Sequence, residues 1–317
     1  MIDLTIIIPH YNTPLQLEKL IQSINVHNNV QIIVVDDNST DNLGKLESVR
    51  QKYSSYVEFY CNKTGIQSAG ACRNTGLKHA KGKWLMFADA DDFFIDSYYD
   101  TISKYFNSEF DQIIFNVTSQ YSDTGEIATR HLVHARKIND YLGNPSEKNY
   151  YRVIKRFAPW GKMIRRAVVE ENNIIFSETL HSNDQFFSTQ VSYYCKQTVI
   201  DGAIIYCITR GKNSLTTVVS KTAYMCHVNE TIKCYCFSKN KYSKKVLGYF
   251  NYNALLILYD GLKRGIDIKT LLWAFIKLVK GGIPLITCNY FNPIFVYTEL
   301  TSNKKRYGKD RKFFVEK

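Results

Sequence analysis

The chain has 317 residues, of which 45% are apolar and 22% charged, with 41 Lys and Arg against 29 Asp and Glu. Its 23 Tyr, 18 Phe and 3 Trp exclude a disordered polar chain, and 16 Gly with 6 Pro exclude a collagen-like or linker-dominated one. The length suits one large domain or two ordinary ones, and the net charge of +12 falls entirely after residue 231, the preceding residues being balanced. Such asymmetry points to a polyanion, either nucleic acid or an anionic membrane.

Leu4–Ile8 is an unbroken apolar run closed by Pro9, the pattern of a strand buried on both faces of a parallel sheet. The absence of a basic segment before it argues against a signal peptide and makes the cytoplasm the expected compartment. Pro14 suits the first turn of a helix whose apolar face is Leu15, Leu17, Leu20, Ile21 and Ile24. Val30–Val35 and Val57–Tyr60 read as the second and third strands, Gly65–Ala80 as a helix, and Trp84–Phe87 as the fourth strand. Strands alternating with helices imply βαβ units and an α/β, Rossmann-like, mostly parallel sheet flanked by helices. Ligands bind such sheets beyond the carboxyl ends of the strands. Eight cysteines show no regular framework, so neither disulfides nor a zinc site is expected.

Polar residues gather at those carboxyl ends: Pro9–Asn12 after strand one, Asp36–Asp41 after strand two, and Ala88–Asp92 after strand four. Each alone would pass for an N-capping turn, but three on one sheet edge converge on one crevice. Asp89, Asp91 and Asp92 would repel one another unless paired. A divalent cation relieves that repulsion, and oxygen-only ligands fit Mn²⁺ or Mg²⁺, which complete their shells with water and substrate phosphates. No Gly-x-Gly-x-x-Gly or Gly-x₄-Gly-Lys-Ser/Thr loop occurs, which excludes a dinucleotide fold and a P-loop.

The ordered set of motifs resembles family 2 glycosyltransferases, which have the GT-A fold, over residues 3–216. The motifs are Ile7–Asn12, Val34–Asp41, Gly70–Gly76, Gly82–Asp92 with its DxDD element, Asn183–Asp184 and Arg210–Thr216. The resemblance implies that Tyr11 stacks on the uracil of a nucleotide-sugar, that Pro9 belongs to the same binding site, and that Asp36 or Asp37 accepts the uracil N3–H. A carboxylate is chemically suited to that imide donor. It further implies that Arg73 binds base or diphosphate oxygens, Asp89 lies near ribose and donor sugar, and Asp91 ligates the metal. Asp92 would orient the donor or the metal shell, and Arg210 and Lys212 would sit on a loop closing over the diphosphate. Asp184 matches the general base, with Asn183 where family members usually carry Glu. The implied reaction is a metal-dependent, inverting single displacement from a UDP-hexose or UDP-N-acetylhexosamine, giving a β-linkage. Processive members carry a Gln-x-x-Arg-Trp motif and spanning helices; neither is present, so transfer of one sugar per acceptor is expected. In domain terms, residues 1–115 form the donor half, 116–222 the acceptor and catalytic-base half, and 223–317 a helical extension.

In that extension, Phe250–Tyr259 and Ile268–Val279 read as helices with aliphatic residues on more than one face. Gly281–Thr298 is uncharged, but Pro284 and Pro293 interrupt it, which argues against a spanning helix. Interspersed lysines, aromatic residues and the basic tail Lys304–Phe314 fit a surface-lying element. Each basic residue near an anionic leaflet contributes roughly 1 kcal/mol. Residues 232–317 are therefore expected to dock on the inner face of the plasma membrane. That suits an acceptor that is a lipid-linked saccharide in O-antigen or capsule synthesis. Rival readings are a nucleic-acid-binding protein, an inactive family member serving as scaffold, and a nucleotidyltransferase. The acidic crevice argues against nucleic acid, the retained Asp89, Asp91 and Asp184 against a scaffold, and the missing Gly-rich Arg/Lys signature against a nucleotidyltransferase.

Overall fold

A computed structural model describes residues 2–211 and 220–286. The apolar run predicted as the first strand forms β1 (Leu4–His10), buried along its whole length. β2 (Val30–Asp36), β3 (Val57–Cys61) and β4 (Trp84–Phe87) follow in parallel, with β1 between β2 and β4. Burial on both faces accounts for the absence of alternation in β1. Leu4, Ile6 and Ile8 face Leu17, Leu20 and Ile21 of α1 (Pro14–Ser23), whereas Ile7 joins Phe87, Phe176 and Phe187 on the other side. Pro14 does open α1, where its missing N–H is no loss.

α2 (Leu43–Tyr53) and α3 (Ala69–His79) complete the crossovers. The third helix begins at Ala69 rather than Gly65. Gly65 has a positive φ of 77°, and Ser68 then caps the helix by accepting the Ala71 N–H. α3 lies close to the sheet because Gly76 has no side chain: a Cβ there would lie 2.4 Å from Ile7 Cγ2.

The chain continues through β5 (Phe93–Phe94), α4 (Tyr98–Ser103), β6 (Gln112–Tyr121), α5 (Leu132–Gly143) and α6 (Glu147–Ile154). β7 (Lys162–Arg165), α7 (Arg166–Glu171), α8 (Asp184–Tyr194) and β8 (Thr198–Arg210) then complete one sheet of order β3-β2-β1-β4-β7-β6-β8-β5. β7 runs antiparallel to both β4 and β6, while β8 pairs parallel to β6. The short β5 returns antiparallel against Tyr206 and Cys207 of β8, which carries the segment after β4 across to the far sheet edge.

Four further helices follow: α9 (Lys221–Lys241), α10 (Lys244–Phe250), α11 (Ala254–Lys263) and α12 (Ile268–Lys280). They share a second core around Tyr224, Val228, Cys234, Phe250, Ala274 and Leu278. The helix expected over Phe250–Tyr259 is two helices. Asn251 adopts the left-handed conformation (φ 51°), and Asn253 caps the next helix through the Leu256 N–H. The expected Ile268–Val279 helix forms with Asp267 as its cap. Lys212, most of the uncharged stretch beyond Ile286, and the basic tail lie outside the described residues.

The close seating of α3 gives a direct test. Gly76→Ala should destabilise the protein by about 1–3 kcal/mol through overpacking against Ile7, read as a lowered urea midpoint with an unchanged slope.

Candidate functional site

The three polar loops meet at the carboxyl ends of β1, β2 and β4. At the first, His10 is buried and accepts the Thr13 N–H at Nε2 (3.2 Å), so Nδ1 carries the proton it donates to Asp36 (2.8 Å). Asp36 also accepts the Ser39 hydroxyl (2.6 Å) and the Ser39 N–H (3.1 Å). Burial raises this carboxyl, but His10 and Ser39 outweigh it and hold Asp36 below the ordinary carboxylate range. Asp37, equally buried, accepts from the Asn62 amide (2.6 Å). Asn12, at a positive φ of 53°, accepts the Thr40 and Asp41 N–H groups and so stitches the first loop to the second. Pro9 is buried behind that stitch, and Tyr11 stands 43% exposed at the rim.

Arg73 is the hinge of the site. The run Ala69–Gly70–Ala71 brings α3 against the segment before α8; a Cβ on Gly70 would lie 2.1 Å from the Ser177 carbonyl oxygen. Arg73, 4% exposed, donates from Nη2 to Asp89 (2.6 Å) and from Nη1 to the Asn183 side-chain oxygen (2.9 Å). Phe176 lies 5.2 Å away from the guanidinium, and the neighbouring Asn74 exchanges two bonds with the Phe176 backbone. Asn183, standing where the family usually has Glu, thus serves as a neutral acceptor. The helix it precedes begins with Asp184, half-buried, whose carboxyl is pushed up by burial and pulled back by Arg73. Lys162, fully buried on β7, also acts on Asp184 while donating to the Arg156 carbonyl; burial holds its own amine well below the usual lysine range.

The aspartates after β4 divide their duties. The Asp89 N–H donates to the Tyr206 hydroxyl (2.9 Å), and Asp92, 3% exposed, accepts the Thr209 N–H (2.7 Å). Thr209 also donates its hydroxyl to the Asp91 carbonyl. Asp92 therefore faces β8 beneath the loop, and Asp91 stands exposed at its crest. Desolvation and the Asp89 charge push the Asp91 carboxyl upward; burial and both neighbouring aspartates push Asp92 further. Arg130 partly offsets both shifts. No motif marks Arg130 in the sequence; it reaches the acidic loop from the turn after β6, where it also donates to the Thr209 carbonyl (3.4 Å). Arg210 follows Thr209 directly at the end of β8. His181, two residues before Asn183, is partly buried, and desolvation lowers its imidazole pKa.

Among the described residues, no group of three or more His, Cys, Asp or Glu is arranged to hold a metal ion. The donor chemistry nevertheless fits Mn²⁺ or Mg²⁺: Asp91 offers an exposed carboxylate whose ionisation Asp89 opposes, and a divalent cation would offset that repulsion. One protein carboxylate, with diphosphate oxygens and water, is the coordination these ions favour.

Arg73 should set the titration of Asp184. A carboxyl raised by folding contributes stability that is full below its unfolded pKa and is lost as pH rises through its folded pKa. In Arg73→Met the Asp184 carboxyl, followed by ¹³C NMR, should titrate higher still, and unfolding free energy at neutral pH should fall by roughly 3 kcal/mol as Asp89 and Asn183 lose their partner.

The family model described as Glycosyl transferase family 2 matches residues 5–172. Over 309 residues the chain is 26% identical to the GalNAc(5)-diNAcBac-PP-undecaprenol beta-1,3-glucosyltransferase of Campylobacter jejuni, covering 90% of this chain and 94% of that one. It is 25% identical over 207 residues to the poly(ribitol-phosphate) beta-N-acetylglucosaminyltransferase TarP of Staphylococcus aureus, covering 63% and 51%. It is also 25% identical over 200 residues to EpsH of Bacillus subtilis, covering 61% and 56%. The chain thus spans about half the length of TarP and EpsH. In fold it is similar to S. aureus TarS residues 1–349 solved with UDP-GlcNAc (TM-score 0.71, 16% identity, 97% and 92% of the two chains). It is likewise similar to the mannosyltransferase PcManGT of Pyrobaculum calidifontis with GDP-Man and Mn²⁺ (TM-score 0.57, 12% identity, 98% and 84%). A GT-A sheet, a family match over more than half the chain and the motifs in family order make this chain a member of glycosyltransferase family 2.

Proposed function

We propose that the protein transfers one sugar from a UDP-hexose or UDP-N-acetylhexosamine to a hydroxyl of a lipid-linked saccharide, inverting the anomeric centre to give a β-linkage. The observation that carries this reading is the single guanidinium of Arg73 joining Asp89, on the donor side, to Asn183, the residue before Asp184. A base and a donor loop tied to one rigid group keep a fixed separation, which in-line displacement requires. Residues 1–115 hold the donor, 116–222 the acceptor and base, and 223–317 the docking extension. Tyr11 stacks on the uracil at the rim, with Pro9 beneath it. Asp37, rather than Asp36 with its His10 and Ser39 bonds, accepts the N3–H. Asp91 and the diphosphate oxygens would hold Mn²⁺ or Mg²⁺, which supplies Lewis-acid neutralisation of the leaving group. Arg130, Arg210 and Lys212 add positive charge where diphosphate charge develops, and Asp92 fixes the loop that presents Asp91. Asp184 takes the acceptor proton; its raised carboxyl makes it a stronger base than an exposed aspartate once ionised.

The acceptor reading is supported by the Campylobacter relative, whose name specifies an undecaprenol-linked substrate, and the donor reading by the TarS complex with UDP-GlcNAc. We place the enzyme at the inner face of the plasma membrane in O-antigen or capsule assembly. No described helix is long and apolar enough to cross a membrane, and docking at the surface is the mode proposed.

UDP with Mn²⁺ should raise the melting temperature, and Asp91→Ala should abolish that shift; indifference to every nucleotide would remove the donor assignment. Asp184→Asn should keep UDP binding and lower kcat by about 10²–10⁴. In the parent enzyme, kcat/KM should fall with decreasing pH at a midpoint above the ordinary aspartate range, because protonated Asp184 cannot act as base.

A further inference from the structure

Among the described residues after 231, several of the cations are engaged within the protein. Lys233 pairs with the buried Glu230 (2.6 Å), Lys245 with Glu147 (2.5 Å) and Arg264 with Asp260 (2.8 Å), while Lys241 lies 5.5 Å from the Tyr193 ring centroid. Charge counted along the sequence therefore does not identify the docking element. Exposed apolar side chains do. On α12, Ile268, Leu272, Phe275, Ile276 and Val279 are between 39% and 79% exposed, although Thr270, Ala274 and Leu278 already bury the opposite face. At 3.6 residues per turn these five fall in one stripe, and Lys269, Trp273, Lys277 and Lys280 follow along one border of it. α11, packed beside α12, adds Leu255, Tyr259 and Leu262, each more than 40% exposed. The Leu255 N–H donates to the Leu285 carbonyl (3.3 Å), which sets exposed Leu285 and Ile286 beside the start of α11.

Exposed aliphatic side chains along two packed helices call for an occupant. Resting on the lipid-linked-acceptor reading, we propose that α11 and α12 lie in the plane of an anionic leaflet, with the aliphatic stripe inserted below the headgroups and the lysine border among them. The one-signed border selects this occupant. A second copy packed antiparallel on this face would bring two lysine borders together. Lipid phosphates are the complementary surface. α12 has 13 residues, about 20 Å at 1.5 Å per residue, which is too short to cross a hydrocarbon core of about 30 Å and long enough to lie along it. Insertion differs from simple attraction in a measurable way: its apolar part persists in salt, and its electrostatic part does not.

The test is flotation of the full chain with phosphatidylcholine vesicles containing or lacking phosphatidylglycerol, at low and high salt, alongside UDP thermal shifts and light scattering. The parent should float with anionic vesicles and retain part of that binding at high salt. Leu272→Gln/Ile276→Gln, which alters no charge, should weaken vesicle binding at least tenfold with the UDP shift unchanged. Lys269→Gln/Lys277→Gln/Lys280→Gln should remove mainly the salt-sensitive part. Unchanged flotation of the Leu272/Ile276 variant overturns the proposal. So does a parent dimer that this variant splits into monomers, which assigns the stripe to a second copy. A lowered melting temperature with vesicle binding intact also overturns it, because the stripe is then covered by the chain itself. Failure of the parent to bind UDP would sink the donor reading while leaving the flotation result standing.

Discussion

The buried guanidinium of Arg73 is the constraint around which the site is organised. A charge held at 4% exposure is tolerable only with partners on its fixed fork of donors, and those partners come from two distant parts of the chain. Asp89 arrives at the end of a parallel strand and Asn183 at the entry to α8, and Arg73 joins the two. The small residues before Arg73 follow from the same requirement, since a side chain on Gly70 would push the Ser177 carbonyl away. Asn183 makes sense here as well. A neutral amide accepts from Arg73 without adding a third carboxylate beside Asp89 and Asp184, where it would raise both.

Acidic repulsion is the counterpart of that clasp. Three aspartates fall within four residues, and β8 holds their loop at two points, through the Thr209 N–H on the Asp92 carboxylate and the Thr209 hydroxyl on the Asp91 backbone carbonyl. The loop is thereby held in a shape that ionisation opposes. Such preorganised repulsion favours whatever cation neutralises the crest, and it needs no dedicated cage of protein ligands. At the other two loops the logic is reversed: Asp36 is held low by His10 and Ser39 and acts as a structural anchor, which leaves the exposed ring of Tyr11 and the Asp37 carboxylate as the chemically different edge.

The C-terminal helices attach to this domain through specific polar contacts as well as packing. Ser177, in the segment that leads to Asp184, donates to Glu230 of α9 (2.7 Å), and Gln185 bonds His227 (2.8 Å). The extension is thus tied to the segment that carries the proposed base. Lys155 reaches from the end of α6 to the carbonyl of Phe250 and lies 4.1 Å from the Tyr252 ring centroid, fixing the junction of α10 and α11. Burial lowers that lysine to about 7, consistent with its enclosure among aromatic side chains.

The strands of the first half were legible because an apolar run without alternation has one stable place, inside a parallel sheet. The candidate site was legible in outline because its polar loops follow strand ends and the motifs that carry them occur in order. Local signals also explain the two boundary differences: Gly65 and Ser68 for the late start of α3, Asn251 and Asn253 for the split helix. What sequence could not supply was partnership. The bond from Arg73 to Asn183 spans 110 positions and that from Thr209 to Asp92 spans 117, so the tertiary fold alone decided which polar residues were anchors and which faced the crevice. Arg130 joined the acidic loop for the same reason. The charge that distinguishes the last 86 residues was likewise a property of sequence. Which lysines are held by Glu147, Glu230 or Tyr193, and which border an apolar stripe exposed among the described residues, was settled only when the helices packed, because burial is a property of neighbours and not of order along the chain.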